Sequence, residues 1–172
     1  MPVVCYTLDQ FLNAPADQVL GRLSQLYSDI GFSSLLTSAI DAWRDQLPIL
    51  RDAIHQLVNS RPDAQDWHVL LEYQIPMRDR RPDAVILAGP AVFVLEFKVG
   101  AESHDSAAMW QVQSYALDLR DFHPECHNQA IIPILVATHA PGEELSEKAL
   151  VTNASCQTGH KNVMVHPIKE LF

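Results

Sequence analysis

Apolar residues recur at helical spacing through residues 16–30, where Val19, Leu20, Leu23, Leu26 and Tyr27 fall on one side of an amphipathic helix. Pro15 suits its first turn and Gly31 its end. A longer helix is predicted over 34–58, with Leu35, Leu36, Ile40, Trp43, Leu47, Leu50, Ile54 and Leu57 on one broad face. Pro48 lies inside it and predicts either a kink or a division into two helices. The period then changes. Residues 68–75 read as a strand, 76–79 as a polar turn and 81–87 as a second strand. Residues 88–91 are a turn by composition, and 92–99 form a third strand rich in β-branched and aromatic residues. Helical spacing returns over 106–121. A buried strand follows over 131–138, where Pro133 implies a bulge or weakened pairing, and 163–166 offers a short last strand. Helices, a three-strand meander, a helix and a strand predict an α/β domain whose mixed β-sheet is flanked by helices.

The length of 172 residues suits one domain, divided into N-terminal helices (1–66), a core (67–138) and a C-terminal extension (139–172). No apolar run reaches the roughly 18 residues of a membrane span, and residues 1–10 lack the charge-then-apolar order of a signal peptide. Cys5, Cys126 and Cys156 are far apart and odd in number, which predicts reduced thiols and a cytoplasmic setting. A net charge of −9 argues against a free-standing basic nucleic-acid binder, so any phosphate contact needs divalent cations or a local basic cluster. Arg78, Arg80 and Arg81 supply such a cluster, or are solvated residues of a hairpin tip.

The chemistry concentrates in the meander. A first hairpin centred between Met77 and Arg78 sets Glu72 opposite Asp83. A second, centred between Gly89 and Pro90, sets Asp83 opposite Glu96. Three carboxylates then form one line across three strands on one face, and Lys98, two residues beyond Glu96, shares that face. Phe93, Leu95 and Phe97 point the other way, into a core. Like charges directly opposed destabilise a sheet unless a cation neutralises them. A hard divalent ion with oxygen ligands does so, polarises a phosphate and acidifies a bound water, while Lys98 stabilises developing negative charge.

Pro82-Asp83 followed by Glu96-Phe97-Lys98 resembles the signature of the PD-(D/E)XK nuclease superfamily, and Gln111 with Tyr115 resembles the Gln-xxx-Tyr motif of its RecB-like members. The resemblance covers residues 67–138. It implies a restriction-endonuclease-like core of αβββαβ order and Mg²⁺- or Mn²⁺-dependent hydrolysis of phosphodiesters, DNA before RNA. It further implies metal ligation by Asp83, Glu96 and the backbone carbonyl of Phe97, with Gln111 and Tyr115 flanking the substrate; Arg81, from the basic cluster before Asp83, is expected to flank it as well. A further acid is expected from Glu72, or from Asp41 or Asp45 on the second helix. The N-terminal helices and the run Phe97-Lys98-Val99-Gly100-Ala101 are similar to the nuclease-like region of bacterial proteins that continue into a Schlafen-group, superfamily 1 helicase-like ATPase. This implies repair of DNA or defence against foreign nucleic acid, and a helicase-like domain, subunit or second protomer as partner. The rival expectation is a nuclease-like binding or assembly module with little activity.

Other groups carry less. His123, Cys126 and His127, with His104, Cys156 and His160 as further donors, match no zinc spacing. Trp43 and Trp110 are expected in the core, and Asp105 or Ser106 is expected to cap the following helix.

Overall fold

The computed structural model describes residues 3–140 and the two-residue strand Met164–Val165. Its elements are β1 (Val4–Thr7), α1 (Leu8–Asn13), α2 (Ala16–Asp29), α3 (Leu36–Ser60), β2 (His68–Leu71), β3 (Ala84–Ala88), β4 (Ala91–Lys98), α4 (Ser106–Phe122), β5 (Ala130–Ala137) and β6 (Met164–Val165). They form a mixed sheet in the order β1-β2-β3-β4-β5, extended by the short β6. β1 to β4 are antiparallel neighbours, and β4 and β5 run parallel, joined across the sheet by α4. This is a mixed α/β architecture with helices on both faces.

Two apolar cores lie on opposite sides of the sheet. Ala84, Ile86, Leu95 and Phe97 pack with Val19 and Leu23 of α2 and with Trp43, Leu47 and Leu50 of α3. Val85, Val92 and Val94 pack with Val112, Tyr115 and Leu119 of α4. The alternation of β4 thus sends Leu95 and Phe97 to the α2/α3 side, as expected, and Glu96 and Lys98 to the α4 side.

The predicted helices appear within two residues of their expected ends. Gly31, at φ 81°, closes α2 in a left-handed conformation that costs glycine little. α3 continues through Pro48 as one helix, with the proline on its exposed side. β1 and α1 were not expected. Their junction is a capping box in which Gln10 N donates to Thr7 Oγ1 and Thr7 N to Gln10 Oε1, each at 3.1 Å.

Both hairpin registers agree with the sequence expectation: Leu71 pairs Ala84, and Ala84 pairs Leu95. The strand lengths do not. β2 ends at Leu71 instead of reaching 75, because Glu72 is left-handed at φ 51° and Met77 at φ 59°. β3 begins at Ala84 rather than 81. Pro133 introduces no bulge, since the β4–β5 register runs unbroken through the Val94–Pro133 pair. Cys5 and Cys126 are free thiols, while Cys156, His160 and most of the C-terminal extension lie outside the described residues. Among the described residues no helix is long and apolar enough to cross a membrane.

Candidate active site

The paired ends of β2, β3 and β4 bring Glu72, Asp83, Glu96 and Lys98 together. Asp83 sits one residue before β3. There its carboxylate replaces a ladder partner, and Phe97 N donates to Asp83 Oδ2 at 2.7 Å. Glu72 N donates to the Asp83 carbonyl at 3.1 Å, so the first hairpin register persists one step beyond the ladder.

Glu96 is buried (5 % exposed) on the α4 side. Lys98 Nζ donates to Glu96 Oε1 at 2.9 Å and to Gln111 Oε1 at 2.9 Å. Gln111 Nε2 donates in turn to Glu96 Oε1 at 2.8 Å and to Tyr115 OH at 2.7 Å. The four-residue spacing on α4 puts Gln111 and Tyr115 on one face. The pair holds the lysine and the glutamate in place. Among the described residues Glu96 Oε2 has no hydrogen-bond partner although it is buried, an arrangement that costs about 1–3 kcal/mol or more for a charged group.

Glu72 corrects the expectation of three acids on one face. Its left-handed backbone breaks strand alternation and turns the carboxylate towards α2 and α3. There Tyr27 OH donates to Oε2 and Trp43 Nε1 to Oε1, each at 2.8 Å. Tyr27 and Trp43 meet edge-on with ring centroids 4.8 Å apart. The expected burial of Trp43 is found (3 % exposed), and its indole N–H is spent on the site. Asp41 and Asp45, the alternative helix acids, lie on the exposed side of α3, and Asp41 pairs with Arg44 at 3.3 Å.

The acids feel one another. Burial, then the charges of Glu96 and Glu72, push the Asp83 carboxyl well above the usual carboxylate range, against the Phe97 hydrogen bond and Lys98. Burial also raises Glu96 against the hydrogen bond and charge of Lys98, and raises Glu72 against the donors Trp43 and Tyr27. Burial pulls Lys98 down, but the hydrogen bond and charge of Glu96 outweigh it and leave the ammonium group held above its ordinary value.

The arginines divide. Arg80 Nη1 donates to Asp118 Oδ2 at 3.1 Å and to Ser114 Oγ at 2.7 Å, and Arg78 Nε lies 3.3 Å from Asp118 Oδ1. Both pin the hairpin to α4 and do not form the anticipated loose basic cluster. Arg81 lies over the Phe32 ring at 4.6 Å and lowers the pKa of Glu72, so it stands at the back of the carboxylates. Asp105 Oδ1 accepts from Ala107 N at 3.1 Å, the expected helix cap. Trp110, expected in the core, is 54 % exposed on the outside of α4.

Sequence reasoning did not single out Tyr27 or Gln46. A tyrosine on an apolar helix stripe was itself a signal, because a buried phenol seeks a partner. Gln46 lines a void of about 10 Å³ shared with Trp43, Glu72, Asp83 and Phe97. Among the described residues no three His, Cys, Asp or Glu side chains converge to hold a metal ion. A two-carboxylate site is what remains. The orphaned Oε2 of Glu96 beside the charge-crowded Asp83 fits a hard cation that takes one or two carboxylates and completes its shell with water and phosphate oxygens. Comparisons with protein-family models, with curated proteins and with solved structures gave no match to this chain.

Proposed function

We propose that this chain is a nuclease with a restriction-endonuclease-like core, hydrolysing phosphodiester bonds of nucleic acid, DNA before RNA, with Mg²⁺ or Mn²⁺. The observation that carries the reading is Glu96: a buried acid in an apolar strand, one oxygen held by Lys98 and Gln111, the other without a hydrogen-bond partner among the described residues, and Asp83 just before the neighbouring strand. Asp83 and Glu96 would hold the ion, with the Phe97 carbonyl as a further ligand. Bound there, it would polarise the scissile phosphate and lower the pKa of a water.

The chain's own residues do the rest. Lys98 stays protonated beside Glu96 and offers positive charge to the phosphoryl oxygens as negative charge develops on them. Gln111 and Tyr115 keep the ammonium group and the carboxylate in register. Glu72 is a fixed negative charge behind Asp83 that favours cation binding. Water attacks phosphorus and gives a proton to solvent, the bond to the 3′ oxygen breaks, and that oxygen takes a proton from solvent and leaves as a 3′-hydroxyl, while the 5′-phosphate remains on the other product. Repair or defence against foreign DNA in a cytoplasm, alongside a helicase-like ATPase or a second copy, would suit this activity.

A second reading, a nuclease-like assembly module with little turnover, draws on one observation: Arg78 and Arg80 are committed to Asp118 in a chain of net charge −9. Incubating labelled single- and double-stranded DNA and RNA with Mg²⁺, Mn²⁺ or EDTA separates the two. Metal-dependent cutting that Lys98→Ala lowers at least a hundredfold is expected. Absence of cutting on every substrate would favour the module.

A further inference from the structure

Beside the carboxylates a groove of about 480 Å³ opens between α3, the residues after β4 and the start of α4. Its size is that of a pocket for a small organic group. Ala42 on α3 and Ala108 on α4 line it with short side chains, Phe97 and Lys98 also line it, and Gln46 and Ser103 supply polar groups. Gln46 lines both this groove and the void at Glu72 and Asp83, and makes no side-chain hydrogen bond among the described residues.

The charges exclude one occupant. Among the described residues Lys98 is the only cation of the lining and is already paired with Glu96, while Asp105 adds a negative charge. Such a groove does not track a phosphate backbone. Small apolar walls with an unspent amide, next to a phosphodiester site, match an unstacked base whose edge offers a donor and an acceptor side by side.

Resting on the nuclease reading, we propose that this groove receives the unstacked base of the nucleotide next to the scissile phosphate, and that Gln46 hydrogen-bonds its edge. The substrate is then single-stranded or frayed where it is cut, and Gln46 is a positioning residue.

Equilibrium binding of fluorescein-labelled, cleavage-resistant phosphorothioate single strands to the full chain in Mg²⁺, which supplies the cation the acidic chain needs for phosphate contact, tests this without turnover. One abasic residue is moved along the strand, and wild type is compared with Gln46→Leu and with Ala42→Phe, which fills the groove from α3. Circular dichroism melting verifies that both variants fold. A loss of about tenfold at one abasic position is expected for wild type, in line with the worth of a single base contact. Both variants should bind the intact strand as wild type binds the abasic one. Equal binding of every abasic strand, or an unchanged abasic penalty in both variants, overturns the proposal even if metal-dependent cutting is found. An abasic penalty that both variants erase, with no cutting under any metal, upholds the groove and removes the nuclease reading instead.

Discussion

Replacing Tyr27 by phenylalanine removes one oxygen and leaves the ring. That oxygen donates to Glu72 Oε2 at 2.8 Å, and the acceptor is a carboxylate only 9 % exposed. A hydrogen bond to a charged, buried acceptor is worth about 1.5–3 kcal/mol. For a chain of this length each kcal/mol moves the melting midpoint by about 2–4 °C. Tyr27→Phe should therefore melt roughly 3–12 °C below wild type at pH about 8. Tyr6→Phe is the matched control. The Tyr6 hydroxyl is buried with no hydrogen-bond partner among the described residues, so its removal should be neutral or stabilising.

The pH dependence separates this bond from mere packing. Burial raises Glu72 above its ordinary 4.5, and Tyr27, by favouring the ionised form, holds it down. Without the hydroxyl the folded-state value rises further above the unfolded one. For an acid, a raised folded-state value costs stability above the unfolded pKa, and the cost fades as pH falls through the folded value. Urea unfolding at pH about 8 and about 4 should show the Tyr27→Phe loss shrinking to that of a neutral bond, about 0.5–1.5 kcal/mol. An equal loss at both pH values, or none at either, would refute the picture of a buried, ionised Glu72 held by Tyr27.

The same sign governs Asp83, which burial, Glu96 and Glu72 push upward. Metal-free wild type should lose stability as pH rises from the ordinary aspartate value of 3.8 towards the raised folded-state value, and Asp83→Asn should flatten that slope. At pH about 7.5 in EDTA, Asp83→Asn should be at least as stable as wild type, and in chelator-free buffer calorimetry should detect no Mn²⁺ binding to it; wild-type affinity in this variant would exclude Asp83 as a ligand. Asp118→Asn strips two guanidinium groups of their counter-charge. Because Arg78 and Arg80 are each 47 % exposed, the cost should be about 1–2 kcal/mol and should shrink in high salt, as thermal melts at two NaCl concentrations would show.

The meander was legible because its two turns are short and their centres fix the pairing, so Glu72, Asp83 and Glu96 were aligned from residue numbers alone. Pairing does not fix which way a side chain leaves the sheet once the backbone stops being extended. Left-handed Glu72 escaped for that reason, since nothing in its neighbours demands positive φ from a non-glycine residue. The partners of Glu72 escaped for another reason. Tyr27 and Trp43 fall on apolar helix stripes, where periodicity records burial and is blind to a phenol or indole tip. β1 and α1 are short, yet Thr7 and Gln10 carry the spacing of a capping box, a signal that was present and passed over. The exposed Trp110 shows the limit from the opposite side, since an aromatic residue on an amphipathic helix need not face its core.

Two buried acids in this chain differ in how their charge is met, and the difference bears on function. Asp118 has a guanidinium group on each oxygen, an arrangement complete in itself that ties a hairpin to a helix. Glu96 shares one lysine with the field of Asp83 and Glu72, and one of its oxygens has no hydrogen-bond partner among the described residues. Nothing in the fold requires an acid there. Val94, Leu95 and Phe97 beside it in β4 are buried, and an apolar side chain at position 96 would add about 1.5–3 kcal/mol of burial in place of a penalty. Local rules broken without structural compensation mark functional positions more often than structural ones. On the nuclease reading, an acidic chain can act on an anionic polymer on these terms. The attraction need come only from a cation held at one point, and, on the groove proposal, the remaining contact is made with a base instead of with phosphates.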